Sequence, residues 1–173
     1  TRMGRFGWKA THATLLSQNA AAFSEDLGLT TALFPEESCA PRQRTCQQEA
    51  GGAEGDVEGV EVGRQRLEQL TFYTRHLAVP ARRVPDAQAD RIARGERRFV
   101  ELGCASCHVP SWRTGGPDQT PHEALWDQKI WPYTDLLLHD MGPGLADELT
   151  ERQARGREGR TPPPRGPRLT PRG

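Results

Sequence analysis

Apolar residues recur at helical spacing in three separate stretches, and between them the pattern breaks down. In residues 13–24 (ATLLSQNAAAFS), Leu15, Leu16, Ala20 and Phe23 fall near one face, with Thr11 or Thr14 placed to cap the helix. Residues 62–78 return to the same period through Leu67, Leu70, Tyr73 or Thr74, and Leu77. Residues 86–102 form a third candidate, with Asp86 as its cap and Ile92, Phe99 and Val100 as its apolar positions. Residues 26–60 read as one long loop, broken by Pro35, Pro41 and the Gly/Glu stretch GGAEGDVEG. Pro80 and Pro85 bracket a stiff linker, VPARRVP. A denser apolar set over 123–141 (Leu125, Trp126, Ile130, Trp131, Tyr133, Leu136, Leu137, Leu138, Met141) is punctuated by Gly142, Pro143 and Gly144. No run of β-branched residues alternates with period two, so the pattern predicts an all-α protein with long irregular loops.

Composition narrows the picture. The 173 residues include 18 Gly and 14 Pro, and only 35% are apolar, which leaves little material for a large dry core. No run of 18 apolar residues is present to span a membrane, and no signal peptide is visible. Beginning at Thr1, the chain reads as a mature product or a fragment. The net charge of zero is unevenly spread. Residues 151–173 hold seven Arg and two Glu, so that stretch is basic and the body correspondingly acidic. The body carries no basic stripe of the sort that binds nucleic acid. The basic stretch is rich in Pro and Gly and predicts a disordered tail. The layout is therefore a helical and loop region over 1–80, a second helical domain over 81–150, and the tail over 151–173.

The four cysteines make two unlike pairs. Cys39 and Cys46 close a small loop in SCAPRQRTC, as a structural disulfide pinning the long loop or as a redox-active pair. Cys104 and Cys107 stand in GCASCHVP, and Cys104-Ala105-Ser106-Cys107-His108 is the C-x-x-C-H arrangement for attaching a c-type haem. Two thiols three positions apart reach the two vinyl groups of one haem, and the adjacent His108 reaches its iron as axial ligand. A thioredoxin-like pair would call for a βαβ context, and a zinc site for a second matching knuckle; neither is evident. Gly95 and Phe99 stand nine and five residues before Cys104, the spacing of a cytochrome c N-terminal helix. One covalent haem c is the expected cofactor. Haem attachment and disulfides share an oxidising compartment, so the expected location is periplasmic or secreted.

A six-coordinate iron takes a second axial ligand, with Met or His as the usual donor. Met141, 33 residues after His108, is the first candidate; Met3 lies far upstream. His139 is the competitor and His122 a weaker one, while His12 and His76 read as structural or solvent-exposed. Met141 could equally be core packing. Trp8, Trp112, Trp126 and Trp131 read as apolar packing for a macrocycle, and Asp135, Asp140, Asp147 and Glu148 as solvated or capping groups. No nucleophile elbow, phosphate loop or HExxH motif is present.

The strings GRFGWKA (4–10), TLLSQNAAAFSEDLGLTTALFP (14–35), FYTRHLAVPARR (72–83), GCASCHVP (103–110) and PYTDLLLHDMGPGLAD (132–147) together resemble the bacterial di-haem oxidoreductase family. Its members are described as peroxidases or thiol oxidoreductases, and they are similar in layout to di-haem cytochrome c peroxidases. The resemblance spans residues 3–163 and implies a periplasmic or secreted, all-α, cytochrome c-like protein. Cys104, Cys107 and His108 match the family's second haem motif. The family carries an earlier C-x-x-C-H upstream of GRFGWKA, so this chain reads as a fragment whose first haem domain is missing. Its final residues, GRTPPPRGPRLTPRG, leave the family pattern after the RTPP segment. The resemblance implies a haem-bound electron-transfer protein with an electron donor or acceptor as partner, a peroxidase or thiol oxidoreductase when complete, or an inactive remnant.

Overall fold

A computed structural model describes residues 3–49, 51–52, 58–77 and 79–162. The chain divides into two compact units. Unit 1 comprises Thr1–Gly7 and Thr11–Leu77; unit 2 comprises Trp8–Ala10 and Ala78–Gly173.

Unit 1 is built on two helices, α1 (Leu15–Leu27) and α3 (Arg64–Arg75), with the short α2 (Arg44–Gln48) between them in sequence. Thr14 caps α1, its hydroxyl accepting the Ser17 N–H, which satisfies one donor the first turn would leave unpaired. At the other end Gly28 adopts φ 68°, a left-handed conformation open to glycine without strain, and Leu29 N–H closes back onto the Phe23 carbonyl. Ala20, Val62 and Leu67 form the buried cluster, and Leu16, Phe23, Leu29 and Phe34 pack against it. The small Ala20 lets α1 and α3 lie close. Between the helices Asn19 is buried and donates to the hydroxyls of Thr71 and Thr74, at 3.1 and 3.0 Å. The buried face of α3 thus runs through Leu67 and Thr71, while Tyr73 and Leu77, in register for burial by their spacing, are exposed. The loop expected over 26–60 contains α2, and Cys39 and Cys46 are joined by a disulfide. Residues 53–57 of the Gly/Glu stretch lie outside the described residues.

Unit 2 differs in construction. Among the described residues its one α-helix, α4 (Ala89–Glu101), is preceded by a 3-10 turn at Asp86–Gln88 and followed by another at Cys104–Ser106. Asp86 lies in the leading turn rather than at the cap of α4, which is Gln88 without a side-chain capping bond. Four short strands complete the unit: β1 (Trp112–Arg113), β2 (Lys129–Ile130), β3 (Leu138–Asp140) and β4 (Glu158–Arg160). β1 pairs antiparallel with β2, Trp112 opposite Ile130, and β3 with β4, His139 opposite Gly159.

These pairs correct the all-α expectation: among the described residues the fold is mixed, with two small antiparallel sheets beside four α-helices and much irregular chain. The physical reason is length. A strand of two or three residues spans at most one alternation, so no period-two pattern can announce it. The tail expected to be disordered from 151 is corrected in its first part too. Glu151 and Ala154 bridge, Ala154 and Thr161 are buried, and Glu158–Arg160 is β4. Residues 163–173 lie outside the described residues.

Polar groups hold unit 2 together. Lys9 is 5% exposed. Its ammonium pairs with the Asp147 carboxylate at 2.8 Å and donates to the carbonyls of Arg155, Gly156 and Glu158. A buried ammonium needs that set of acceptors to offset its lost hydration. Thr134, also buried, donates to the Thr161 carbonyl at 2.7 Å, and Thr161 N–H returns to Leu137. No helix among the described residues is long and apolar enough to cross a membrane.

Candidate functional site

The chemistry-bearing string lies on the turn that ends α4. Gly103 takes φ 77°, which reverses the chain after the helix; a side chain there would strain the backbone. Cys104–Ser106 then forms one 3-10 turn, closed by Cys107 N–H on the Cys104 carbonyl at 3.4 Å, and His108 N–H donates to the same carbonyl at 2.9 Å. Cys104 is exposed, Cys107 half-buried, and both are free thiols.

A second segment, 133–139, folds over this turn and holds it at three points. The Tyr133 carbonyl meets His108 Nδ1 at 3.0 Å. Asp135 N–H donates to the Cys107 carbonyl at 3.2 Å. His139 Nδ1 lies 3.6 Å from Cys107 Sγ. Trp112 adds a fourth tie, its indole N–H donating to the Thr134 carbonyl at 2.8 Å. The segment is strained to do so, since Tyr133 and Leu136 both sit at positive φ, 51° and 62°. Such conformations cost on the order of 1–3 kcal/mol each and persist where the surroundings over-determine them.

The partners fix the tautomers. A carbonyl can only accept, so His108 carries its proton on Nδ1 and keeps a lone pair on Nε2. This is the arrangement by which a ligating histidine is oriented, its other nitrogen bound to a backbone carbonyl. His139 is reversed. Its Nε2 lies 2.7 Å from the Asp135 carboxylate, which places the proton there and turns the Nδ1 lone pair to the Cys107 sulfur. Burial pushes the Asp135 carboxyl up, but bonds from the Leu137 N–H, the Thr161 hydroxyl and the His139 ring outweigh it and hold it below its ordinary value.

Beside the turn runs a cleft of about 690 Å³, lined by Ile92, Gly95 and Phe99 of α4, by Pro110, Trp131 and Tyr133, and by the charged Arg82, Arg83 and Glu96. Phe99 meets the His108 and Tyr133 rings edge-on, at 6.3 and 5.5 Å between centroids. No residue of α4 is fully buried: Ile92 and Phe99 are half-buried and Val100 is 61% exposed, so part of its apolar stripe stays open to the cleft. Two cations stand over the Trp131 ring, Arg82 at 6.0 Å and Lys129 at 5.5 Å from its centroid, and Arg82 also pairs with Glu96. Two free thiols on one turn, an imidazole with an unbonded Nε2 and an adjoining apolar wall fit a covalently held haem.

The two candidates for a sixth ligand are placed differently. Met141 is 47% exposed and lines a separate cavity of about 170 Å³ with Trp8, Leu145 and Gly159; that cavity shares no residue with the cleft. His139 has both ring nitrogens facing partners. Of the weaker candidates, His12 bonds Ser17 and His76 the Phe72 carbonyl, both in unit 1, Met3 is exposed there, and His122 precedes a 3-10 turn at Glu123–Leu125. Among the described residues no group of three or more His, Cys, Asp or Glu could hold a metal ion, a test an iron held in a macrocycle does not have to pass. The tryptophans are more polar in use than their packing role implied. Trp8 is exposed, while Trp112 and Trp126 each donate an indole N–H to a carbonyl. The sequence reading missed the part played by Tyr133, Asp135 and His139 around the motif, and Lys9 altogether; the four-residue spacing of Asp135 and His139 was the one available signal.

The model of the family described as di-haem oxidoreductase, putative peroxidase matches residues 1–171, essentially the whole chain, and the chain belongs to that family. Membership makes it a haem-linked oxidoreductase. No curated protein and no solved structure matches it.

Proposed function

We propose that unit 2 is one redox centre of a di-haem oxidoreductase that reduces peroxide. In this reading Cys104 and Cys107 hold a single haem c by thioether bonds and His108 is the proximal ligand. The observation that carries it is His108, whose Nδ1–H is held by the Tyr133 carbonyl while its Nε2 stands free beside two thiols on the same turn. When bound, the haem supplies one-electron chemistry at iron.

The chain's own residues do the rest. The Tyr133 carbonyl orients the His108 ring and strengthens it as a donor. Phe99, Trp131 and Tyr133 line the cleft with apolar atoms that would exclude water from a bound haem. Arg82 and Arg83, which line the cleft, would offer positive charge to the carboxylates of a bound haem. Met141 lies in another cavity and His139 against Cys107, which supports a reading in which neither would close a bound haem and peroxide would have access to it. A second redox centre or a partner protein would have to supply the electrons. The Cys39–Cys46 disulfide supports an oxidising compartment, the periplasm or the exterior.

The test is maturation in a periplasm that has haem-attachment machinery, read by a haem-stained denaturing gel and a pyridine haemochrome spectrum. One covalent haem per chain is the expected result, and Cys104→Ser with Cys107→Ser removes it. A chain that takes up no covalent haem, or a double variant that keeps it, overturns the reading. Retention of the wild-type spectrum in Met141→Ala supports the open sixth position. A change on that substitution assigns the sixth position to Met141 and the chain to electron transfer alone.

A further inference from the structure

The two cysteines of the motif are not equivalent. Cys104 is exposed, and no side chain among the described residues bonds its sulfur. Cys107 is less accessible yet faces the lone pair of His139 Nδ1 at 3.6 Å. His139 is locked from behind by Asp135 at 2.7 Å. Asp135 is locked in turn by the Leu137 N–H at 3.0 Å and the Thr161 hydroxyl at 2.8 Å, so the line from carboxylate to imidazole to thiol has a fixed direction. Sheet pairing holds the same line in place, since His139 lies opposite Gly159 in the β3–β4 pair. A histidine serving only as filler would not be oriented at both nitrogens, nor have its proton placed on the side away from a thiol. A sulfur, an imidazole and a carboxylate in that order are the parts of an activated nucleophile.

We propose that His139, oriented by Asp135, is a catalytic base that aims the Cys107 thiol and receives its proton when Cys107 is joined to haem. The proposal rests on the covalent haem reading above. In the joining step a sulfur–carbon bond forms at one vinyl carbon and the π bond of that vinyl breaks. The thiol proton passes through His139 Nδ1 to the other vinyl carbon. The S–H has added across the double bond, nothing is oxidised or reduced, and no co-reactant is consumed. Asp135 touches none of the reacting atoms and is a positioning residue. The pair thereby makes Cys107 the faster-closing thioether, although Cys104 is the more accessible thiol.

Two measurements on the full chain test this. The first follows haem attachment in a maturation-competent periplasm, with peptide mapping to assign each thioether. Wild type is expected to carry both bonds. His139→Gln, which can still donate to Asp135 but has no ring nitrogen to accept a proton, is expected to accumulate haem bound through Cys104 alone. The retained vinyl then shifts the pyridine haemochrome band away from the doubly linked position. Asp135→Asn should give the same product in smaller amount. The second measurement uses haem-free chain made without attachment machinery, alkylated with limiting iodoacetamide at one fixed pH. Cys107 is expected to react faster than Cys104 in wild type, and His139→Gln to slow Cys107 on the order of a hundredfold, the lower end of general-base contributions, with Cys104 unchanged. Unchanged far-ultraviolet dichroism shows that the variants fold. Should His139→Gln form both thioethers at the wild-type rate, or Cys104 outrun Cys107 in wild type, the proposal is wrong even if the haem reading stands. Should wild type take no haem while the alkylation ratio holds, the haem reading fails and the proton acceptor remains.

Discussion

Unit 1 and unit 2 bury different chemistry. Among the described residues, the fully buried apolar side chains are Ala20, Ala21, Val60, Val62 and Leu67 in unit 1, and Ala154 alone in unit 2. Unit 1 therefore closes on itself: two amphipathic helices meet over aliphatic side chains, and a disulfide pins the loop between them. Polar side chains are buried in both, His12, Asn19, Ser24, Thr30, Thr31 and Thr71 in unit 1 and Lys9, Thr134 and Thr161 in unit 2. In unit 2, however, they stand almost without apolar company, and among the described residues its only α-helix lines a cleft. Polar bonds give direction but little net free energy, about 0.5–1.5 kcal/mol each, because water offers the same bonds to the unfolded chain. Apolar burial supplies the larger share, so a unit short of it gains most from a large apolar group. The contrast teaches that unit 1 is a finished core and unit 2 a frame of oriented donors and acceptors built around a site.

The largest effect that tests this comparison belongs to unit 1. Leu67 is 4% exposed and sits in the cluster with Ala20 and Val62. Leu67→Ala is expected to cost about 2–5 kcal/mol, the transfer and cavity cost of a buried leucine. Hydrogen exchange should show the loss concentrated in α1 and α3. A cost under about 1 kcal/mol would mean that the aliphatic cluster is not what holds unit 1.

The same contrast explains what could be read from the residues. The three helical stretches over 13–24, 62–78 and 86–102 were legible because a helix repeats its apolar period for several turns; α1, α3 and α4 lie within or close to those bounds. The five-residue string Cys104–His108 was legible because all its parts are adjacent in sequence. What surrounds it was not. Tyr133 is 25 residues from His108, and His139 is 32 from Cys107. Lys9 reaches Asp147 across 138 positions. Such links leave no period in the chain, and a lysine gives no local sign that it will be buried. The strands escaped notice because pairings of two or three residues depend on where distant segments come to lie. α2 is a single short helix in a polar loop, with no apolar stripe to mark it.

A smaller effect tests the polar half of the comparison. Replacing Lys9 by Met keeps much of the volume but strands the acceptors around it. The Lys9→Met change is expected to destabilise unit 2 by about 1–3 kcal/mol, the cost of leaving buried polar groups unpaired. It should also alter the acid limb of stability. The Lys9 hydrogen bond, with the Leu149 N–H bond after it, holds the Asp147 carboxyl below its ordinary value. Asp135 is lowered as well. A carboxyl whose folded pKa lies below its unfolded value adds stability that is full above the unfolded pKa, about 4, and is lost as pH falls through the folded one. Wild-type unit 2 should therefore weaken as pH drops below about 4. Lys9→Met should flatten that fall while leaving the part owed to Asp135. Chemical denaturation at a series of pH values measures both. Parallel acid limbs in the two proteins would show that the Lys9–Asp147 pair contributes nothing to the frame.

The smallest effect is the sharpest on α4. Val100 is 61% exposed and lines the cleft, so its methyl groups meet water in the haem-free chain. Val100→Ala then removes almost no buried surface, and the intrinsic helix preference of alanine acts in its favour. The net change is expected to stay within about 0.5 kcal/mol, as for other exposed positions. The same kind of truncation that costs unit 1 several kcal/mol at Leu67 should thus be nearly silent one unit away, at a residue as apolar. Urea unfolding of the haem-free variant, followed by dichroism, measures it. A loss above about 1 kcal/mol would mean that α4 is already packed as α3 is. The cleft would then hold no apolar surface in reserve for a cofactor, and the difference between the two units would disappear at the one helix on which it most depends.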